Sequence, residues 1–181
     1  MPVPAPNLNP DFNVVRLSHV EYNVRDLAAS RAFYVDTLGL QITHETEDAI
    51  YLRAMEERGH HCIHLIKSDT ASVGVLGFKV WEDADLDRLS DFFTERGLPV
   101  EWIEKPFFGR ILRSRDPWGI PLEFYAKMER LAPIHQKYAL YRGVKPLRID
   151  HFNMFSSDVD ASVNFYNDMG FRVTEYTEDS E

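Results

Sequence analysis

Hydrophobic and polar residues alternate along residues 16–24, which predicts a β-strand with one apolar face. The apolar face carries Val20, Tyr22 and Val24. The opposite face carries the polar residues of the strand and one leucine: Leu17, His19, Glu21 and Asn23. A strand with this pattern packs one side against a core and leaves the other side available for polar chemistry.

A helix is predicted after this strand, because Asp26 can accept hydrogen bonds from the free backbone N–H groups of a first helical turn. Gly39 can adopt the left-handed conformation that ends a helix. Three further strands are predicted in the segments LQITHETE, AIYLRA and HCIHLIK. The segment therefore forms a strand–helix–three-strand (βαβββ) unit.

The same order recurs in the following residues. VGVLGFKVW predicts a strand, and the next segment predicts a helix that places Leu86, Leu89 and Phe93 on one face and ends at Gly97. The segments PVEWIE, GRILRS and IPLEFYA predict three more strands. Residues 14–126 are therefore expected to be an N-terminal module of two βαβββ units, an α+β fold.

A further copy of the first unit begins near Arg148. His19 aligns with His151, and one residue is missing from the later copy before the Gly39–Gly170 pair. Other identical pairs are Asp26–Asp158, Ala29–Ala161, Ser30–Ser162, Phe33–Phe165, Tyr34–Tyr166, Asp36–Asp168, Thr43–Thr174, Thr46–Thr177, Glu47–Glu178 and Asp48–Asp179. The segment RIDHFN (148–153) is therefore predicted to be the opening strand of a second module.

The domain organisation follows from these repeats. We expect an extended, proline-rich arm at 1–13, the module at 14–126, a linker at 127–147 and the truncated start of the second module at 148–181. A two-stranded piece is marginal in water, so residues 149–181 are expected to be loosely packed or to pair with another copy of the chain. The chain by itself is then incomplete.

Composition excludes several classes of function. Hydrophobic residues make up 44% of the 181 residues and aromatic residues 13%, which predicts a globular protein. The formal net charge of −9 disfavours nucleic acid and anionic membrane surfaces as partners. No apolar run approaches the roughly 18 residues of a membrane span. Cys62 is the single cysteine, which excludes an internal disulfide and predicts a cytoplasmic location.

Two segments contain residues that could carry chemistry. In RDPWGIPLEFY (115–125) a tight turn precedes a strand in which Glu123 alternates with Leu122 and Phe124. Glu123 lies either on a solvated face or on an inward face suited to a metal or a hydrogen bond. In the segment GHHCIHL, strand alternation is expected to place Cys62 and His64 on one face and His61 on the other, so a zinc site would need a further ligand from elsewhere in the chain. We expect these residues instead to line a sheet face or a contact between modules.

Paired βαβββ units, a histidine in the first strand and the motif DPWGIPLEFY resemble the vicinal oxygen chelate (glyoxalase-like) superfamily. A second module opening with RIDHFN resembles the type I extradiol ring-cleaving dioxygenases of that superfamily. The segments FYVDTLGL, AIYLRAMEERGHHCIHL and YALYRGVKPLRIDHFN are most similar to the members that cleave 3,4-dihydroxyphenylacetate (homoprotocatechuate). The resemblance implies an oxidoreductase of aromatic-compound catabolism, with a catechol and dioxygen as substrates and a homo-oligomeric assembly.

The resemblance also implies a non-haem Fe(II) site, in some members Mn(II), with two histidines and one carboxylate as ligands. His151 matches the first ligand, and Asn153 matches a residue near the substrate and dioxygen. The remaining ligands have no counterpart in the chain, so by this resemblance the 181 residues alone are expected to bind no metal and to be inactive.

In the first module the equivalent ligand positions are His19, Val75 and Glu123. Because valine coordinates nothing, His19 and Glu123 are expected to be a vestigial buried pair that meets across one sheet. Two alternatives remain open. The chain is a catalytically silent binding or scaffold module, or it is a metal isomerase or lyase whose site is shared between chains; Val75 argues against the last.

Overall fold

The computed structural model describes residues 3–177 and contains one mixed β-sheet with helices. The first unit comprises β1 (Val14–Val24), α1 (Leu27–Arg31), a π-helix (Ala32–Thr37), β2 (Gln41–Glu45), β3 (Ala49–Arg53) and β4 (Ile63–Lys67). The second comprises β5 (Ser72–Val80), α2 (Asp83–Glu95), β6 (Glu101–Ile103), β7 (Ile111–Arg115) and β8 (Pro121–Tyr125). A 3₁₀ turn (Tyr138–Leu140) and α3 (Val159–Asp168) follow. No helix in this part of the chain is long and apolar enough to cross a bilayer.

The sheet has eight strands in the order β2-β3-β4-β1-β5-β8-β7-β6. The first strand of each unit pairs in parallel with the last strand of the same unit, β1 with β4 and β5 with β8. The two units join through the antiparallel pair β1–β5 at the centre. The second half of the sheet therefore repeats the first half in reverse order, as expected for paired βαβββ units.

The core lies between one face of this sheet and the helices. Leu86, Leu89 and Phe93 of α2 are fully buried, which confirms the predicted helix face. Leu122 and Phe124 of β8 are buried in the same cluster. Because side chains alternate along a strand, the residue between them projects from the opposite face of the sheet.

Helix caps explain where the repeated helices begin and end. Asp26 accepts a hydrogen bond from Ala29 N at 2.8 Å, and Asp158 accepts the equivalent bond from Ala161 N at 2.9 Å. Gly39 and Gly170 have φ angles of +87° and +86°, the left-handed conformation that the repeat predicts.

The one-residue difference between the repeats has a structural cause. The first helix continues as a π-helix, in which Leu38 N donates to Phe33 O five residues earlier. The equivalent part of α3 is α-helical. A π-helical turn accommodates one extra residue, so the first copy needs one residue more than the second to reach its terminal glycine.

Residues 148–177, the described part of the predicted second module, differ from two expectations. Residues 149–158 contain no strand, since no neighbouring strand offers them the backbone partners that a strand needs. Residues 159–171 are not loosely packed, because Phe165 and Met169 are buried in the core beside α2. Helix α3 therefore packs on the helical side of the sheet beside α2. The aligned Glu178 and Asp179 lie outside the described residues.

Candidate functional site

Six side chains form a polar cluster on the sheet face opposite to the helical core. His19 and Glu21 come from β1, and the others come from β4, β7, β8 and the segment after β6: His64, Arg113, Glu123 and Lys105. His19 and Glu123 are fully buried. The alternation predicted for β1 and β8 places His19, Glu21 and Glu123 on this face.

Glu123 is the most enclosed carboxylate of the polar cluster. Its Oε1 atom lies 3.0 Å from His19 Nε2. Its Oε2 atom accepts hydrogen bonds from Lys105 Nζ at 2.7 Å and from Arg113 Nε at 2.9 Å. The structure therefore brings His19 and Glu123 into direct contact and adds two cations that sequence reasoning did not identify.

Glu21 is bound by the same two cations. Lys105 Nζ donates to its Oε1 atom at 2.5 Å, and Arg113 Nη2 donates to its Oε2 atom at 2.9 Å. His64 Nδ1 lies 3.0 Å from Oε1, and the His64 ring stacks on Tyr51. Lys105 and Arg113 each bridge the two carboxylates, so the cluster holds two anions and two cations.

The charges of the polar cluster set the protonation of both carboxylates. Burial by itself raises the pKa of Glu123, but the hydrogen bond and charge of His19 and the charge of Lys105 outweigh it and lower that pKa to about 2. Burial also raises the pKa of Glu21, whereas the bond from His64 and the charge of Lys105 lower it to about 2. Both side chains are therefore anionic at neutral pH.

We expect the free energy of unfolding to fall on acidification in two windows. Unfolded His61 takes up a proton near its ordinary pKa of 6.5, whereas burial lowers its pKa in the fold, so stability is first lost below pH 6.5. Glu21 and Glu123 stabilise the fold above their ordinary pKa of 4.5, and this contribution, on the order of 3 kcal/mol for each carboxylate, is lost as the pH falls towards 2.

Urea unfolding measured from pH 8 to pH 3 tests this expectation. A Glu123→Gln variant should show a shallower decline below pH 5 than the wild-type chain. A His61→Gln variant should lose only the part of the decline that begins at pH 6.5. Equal pH profiles for all three proteins would contradict the assignment.

Gly77, not Val75, occupies the β5 position between His19 and Glu123. Gly77 pairs with His19 across β1 and with Glu123 across β8. Val75 lies opposite Glu21 instead. The sequence prediction was wrong by two residues because β1 and β5 contain register shifts that a linear alignment does not reveal. The His19 ring fills the space that a side chain at position 77 would need.

The polar cluster does not fit a metal ion. Lys105 and Arg113 donate to the carboxylate oxygens that would otherwise coordinate one. The β5 position between His19 and Glu123 has no side chain. Among residues 3–177, no group of three or more histidine, cysteine or acidic side chains is arranged to hold a metal.

The histidines near Cys62 are arranged differently from the prediction. Cys62 is buried in the apolar cluster beneath α1, whereas His64 faces the polar cluster and its ring centroid lies 5.9 Å from that of His61. The prediction that Cys62 and His64 share a face was wrong, because β4 begins at Ile63 and residues 59–62 are irregular. Burial raises the pKa of the Cys62 thiol to about 12, which leaves it unreactive at neutral pH.

His151 and Asn153 are both on the surface. The His151 side chain is 79% exposed, and its Nδ1 atom lies 3.1 Å from Asp150 Oδ2. Asn153 is also exposed. The described residues therefore place one histidine and one adjacent carboxylate at this position.

Sequence reasoning identified two members of the polar cluster as a pair and missed the partners that neutralise them. Lys105 and Arg113 are separated from Glu21 by 84 and 92 residues, so no local pattern links them. The sequence did indicate that Glu21 belongs to the polar cluster, because the alternation of β1 places it on the same face as His19.

Comparisons with known proteins give relatives of one kind. The chain is 29% identical to the manganese-dependent 2,3-dihydroxybiphenyl 1,2-dioxygenase of Geobacillus genomosp. 3, over 90% of the chain and 56% of that protein. It is 29% identical to the metapyrocatechase of Geobacillus stearothermophilus, over 94% of the chain and 55% of that protein. The chain thus spans about half the length of these relatives.

Solved structures of extradiol dioxygenases also superpose on the chain. The homoprotocatechuate 2,3-dioxygenase of Arthrobacter globiformis superposes with a TM-score of 0.88 at 37% identity, over 95% of this chain and 54% of that one. The homoprotocatechuate 2,3-dioxygenase of Brevibacterium fuscum in complex with 3,4-dihydroxyphenylacetate superposes with a TM-score of 0.88 at 36% identity, over 95% of this chain and 55% of that one. Residues 16–124 and 148–181 match the profile of one family, and the chain therefore belongs to the Glyoxalase/Bleomycin resistance protein/Dioxygenase superfamily.

Proposed function

We propose that the chain is part of an extradiol dioxygenase, which opens a catechol ring beside its two hydroxyl groups and inserts both atoms of dioxygen. The observation that carries this proposal is the superposition of 95% of the chain on homoprotocatechuate 2,3-dioxygenase at 37% identity. The preferred substrate on this basis is 3,4-dihydroxyphenylacetate. The reaction belongs to the catabolism of aromatic compounds.

The proposed metal is Fe(II) or Mn(II), bound outside the first module. His151 is the proposed first ligand, and Asn153 is proposed to lie beside the substrate and dioxygen. Manganese is included because one relative is described as manganese-dependent. A metal of this class supplies Lewis acidity towards the catechol and a binding position for dioxygen.

The polar cluster defines the proposed role of the first module. Lys105 and Arg113 neutralise the positions that would otherwise attract a metal, so His19 and Glu123 act as a vestigial pair within a structural unit. The proposed organisation is an arm at 1–13, this module at 14–126, a linker at 127–147 and the start of the metal-binding module at 148–181. We also propose that the protein is cytoplasmic and forms a homo-oligomer.

The 181-residue chain alone is proposed to be inactive. The described residues contain no group of three metal ligands. Two adjacent side chains, His151 and Asp150, hold a divalent metal weakly compared with three that converge on it. Purified chain reconstituted anaerobically with Fe(II) should therefore retain little iron and consume no oxygen with 3,4-dihydroxyphenylacetate.

A chimera tests the function itself. Residues 1–177 of this chain replace the matching part of the Arthrobacter globiformis enzyme, so that the remaining half of that enzyme supplies the rest of the second module. The chimera should bind iron and consume oxygen with 3,4-dihydroxyphenylacetate. His151→Ala should lower activity by more than about a hundredfold, beyond the loss that an outer partner of a ligand causes.

His135→Ala is the matched control, because His135 is an exposed histidine of the linker. It should leave the iron content and the oxygen uptake of the chimera unchanged. A folded chimera whose activity survives His151→Ala would contradict the assignment of His151. A folded, iron-loaded chimera that cleaves no catechol would contradict the proposed function.

A second candidate function is a catalytically silent binding or scaffold module. It is favoured by the neutralised polar cluster, which leaves the first module without a metal site among the described residues. Under this alternative the chain would bind a small ligand or another protein without oxygen chemistry.

A further inference from the structure

A cavity of about 460 Å³ opens beside the polar cluster, between β1, β5, the end of β8 and residues 56–61. Its lining is net positive although the whole chain carries a charge of −9. Two carboxylates, Glu56 and Glu57, face five cations: Arg16, Arg58, Lys79, Lys127 and Arg130. We call it the basic pocket.

Three cations of the basic pocket have no anionic partner among residues 3–177. Arg16 is bound to Glu57 at 2.7 Å. Lys127 is bound to Asp83 at 2.6 Å. The remaining three, for which the described residues provide no ion pair, are Arg58, Lys79 and Arg130. Within the part of the chain that the structure describes, the charge of these three side chains is therefore not neutralised by ion pairs.

His61 lines the same pocket and is almost completely buried, with 2% of its surface exposed. The Thr43 hydroxyl donates to the Tyr51 carbonyl oxygen at 3.1 Å, so its oxygen is free to accept from His60 Nδ1 at 3.5 Å. His60 Nδ1 also lies 3.1 Å from His61 Nδ1, and in the tautomer in which His60 Nδ1 carries the proton, His61 Nδ1 is the acceptor.

The proton of neutral His61 then lies on Nε2. Burial lowers the pKa of His61 well below its ordinary value, which keeps the ring neutral at pH 7. The Nε2 atom has no hydrogen-bond partner among the described residues. A buried N–H group without an acceptor destabilises the fold, and a ligand oxygen would supply the missing acceptor.

Ser18 and Tyr125 supply a further donor. The two hydroxyl groups share a short hydrogen bond, and both residues line the basic pocket. One hydroxyl proton lies in that bond, so the other is free to point into the cavity. Burial raises the pKa of Tyr125 to about 12, so its hydroxyl keeps its proton at neutral pH.

We propose that the basic pocket binds the carboxylate of a small organic acid. His61 Nε2–H and the free hydroxyl proton of the Ser18–Tyr125 pair donate to its oxygens, while Arg58, Lys79 and Arg130 provide the charge. Ala126 and Met128 also line the cavity and can receive an apolar body. The site lies within the first module and uses none of the residues proposed to bind iron, so it does not depend on the proposed function.

NMR of the full chain with ¹⁵N-labelled histidine tests the proposal, with benzoate as the probe at pH 7.5. The His61 Nε2 signal should shift saturably, with a dissociation constant on the order of 1 mM. Arg58→Ala and Arg130→Ala should each weaken binding about fivefold, the effect of removing one nearby charge at a partly exposed site. Benzyl alcohol, which has the same ring without the charge, should leave the signal unchanged.

Arg110→Ala is the matched control, because Arg110 carries the same charge outside the pocket and pairs with Asp87. It should bind benzoate as the wild-type chain does. The absence of a saturable shift, an equal response to benzyl alcohol, or an equal loss in Arg110→Ala would overturn the proposal. Inorganic phosphate should bind more weakly than benzoate, and tighter phosphate binding would overturn the assignment to a carboxylate.

Discussion

Replacement of Lys105 by methionine should lower the free energy of unfolding by about 4 kcal/mol at pH 7, because removal of one partner leaves a buried charge uncompensated. Lys105 Nζ donates to Glu21 at 2.5 Å and to Glu123 at 2.7 Å. Methionine keeps most of the side-chain volume and removes the charge. Arg113 alone then faces two carboxylates, one of which is fully buried.

The pH dependence separates this electrostatic effect from a loss of packing. Without Lys105 the pKa of Glu21 and the pKa of Glu123 both rise, so the variant binds protons more readily in the fold than the wild-type chain does. The difference in stability between the two proteins should therefore shrink as the pH falls from 7 to 4. Urea unfolding monitored by circular dichroism at several pH values measures it.

Lys67→Met is the control for this prediction. Lys67 is 55% exposed and lies 3.5 Å from Asp48, a surface pair that contributes about 1 kcal/mol or less. If Lys105→Met lowers the free energy of unfolding by no more than Lys67→Met does, the two carboxylates are neutralised without Lys105. A cost that does not change between pH 7 and pH 4 would instead point to packing.

Local patterns in the sequence predicted the elements that depend on local physics. The alternation of β1 placed His19 and Glu21 on one face, and Asp26 and Asp158 cap their helices as expected. The tight turn before β8 is held by Asp116, whose Oδ1 accepts from Trp118 N and Ile120 N. Each of these features depends on residues within a few positions of one another.

The missed features depend on residues far apart in the chain. Lysine and arginine are usually exposed, so nothing local marked Lys105 and Arg113 as partly buried counter-ions. The register shifts between β1 and β5 moved the position between His19 and Glu123 from Val75 to Gly77. Whether residues 149–153 pair as a strand depends on a neighbouring strand, which their own sequence cannot reveal.

The Gly77→Ala variant should lose about 3–5 kcal/mol of stability, although alanine is otherwise well tolerated in place of a glycine with negative φ. A Cβ atom at position 77 would overlap the ring of His19. His19 is fully buried, so the ring could shift only against packed neighbours, and its 3.0 Å contact with Glu123 would break. Overpacking costs about 1–3 kcal/mol, and the lost hydrogen bond to a buried carboxylate adds to it.

A double-mutant cycle assigns the cost to His19. Alanine at position 19 frees the space that the ring occupies, so Gly77→Ala should cost at least about 2 kcal/mol less in the His19→Ala background than in the wild-type chain. Gly59→Ala is the matched control, since its Cβ would meet only the flexible side chain of Met128, at 2.9 Å from Sδ. Equal costs for Gly77→Ala in both backgrounds would show that the ring of His19 does not restrict position 77. A coupling of the expected size would mean that the His19 ring occupies the space that a β5 side chain would need, which leaves β5 without a third ligand between His19 and Glu123.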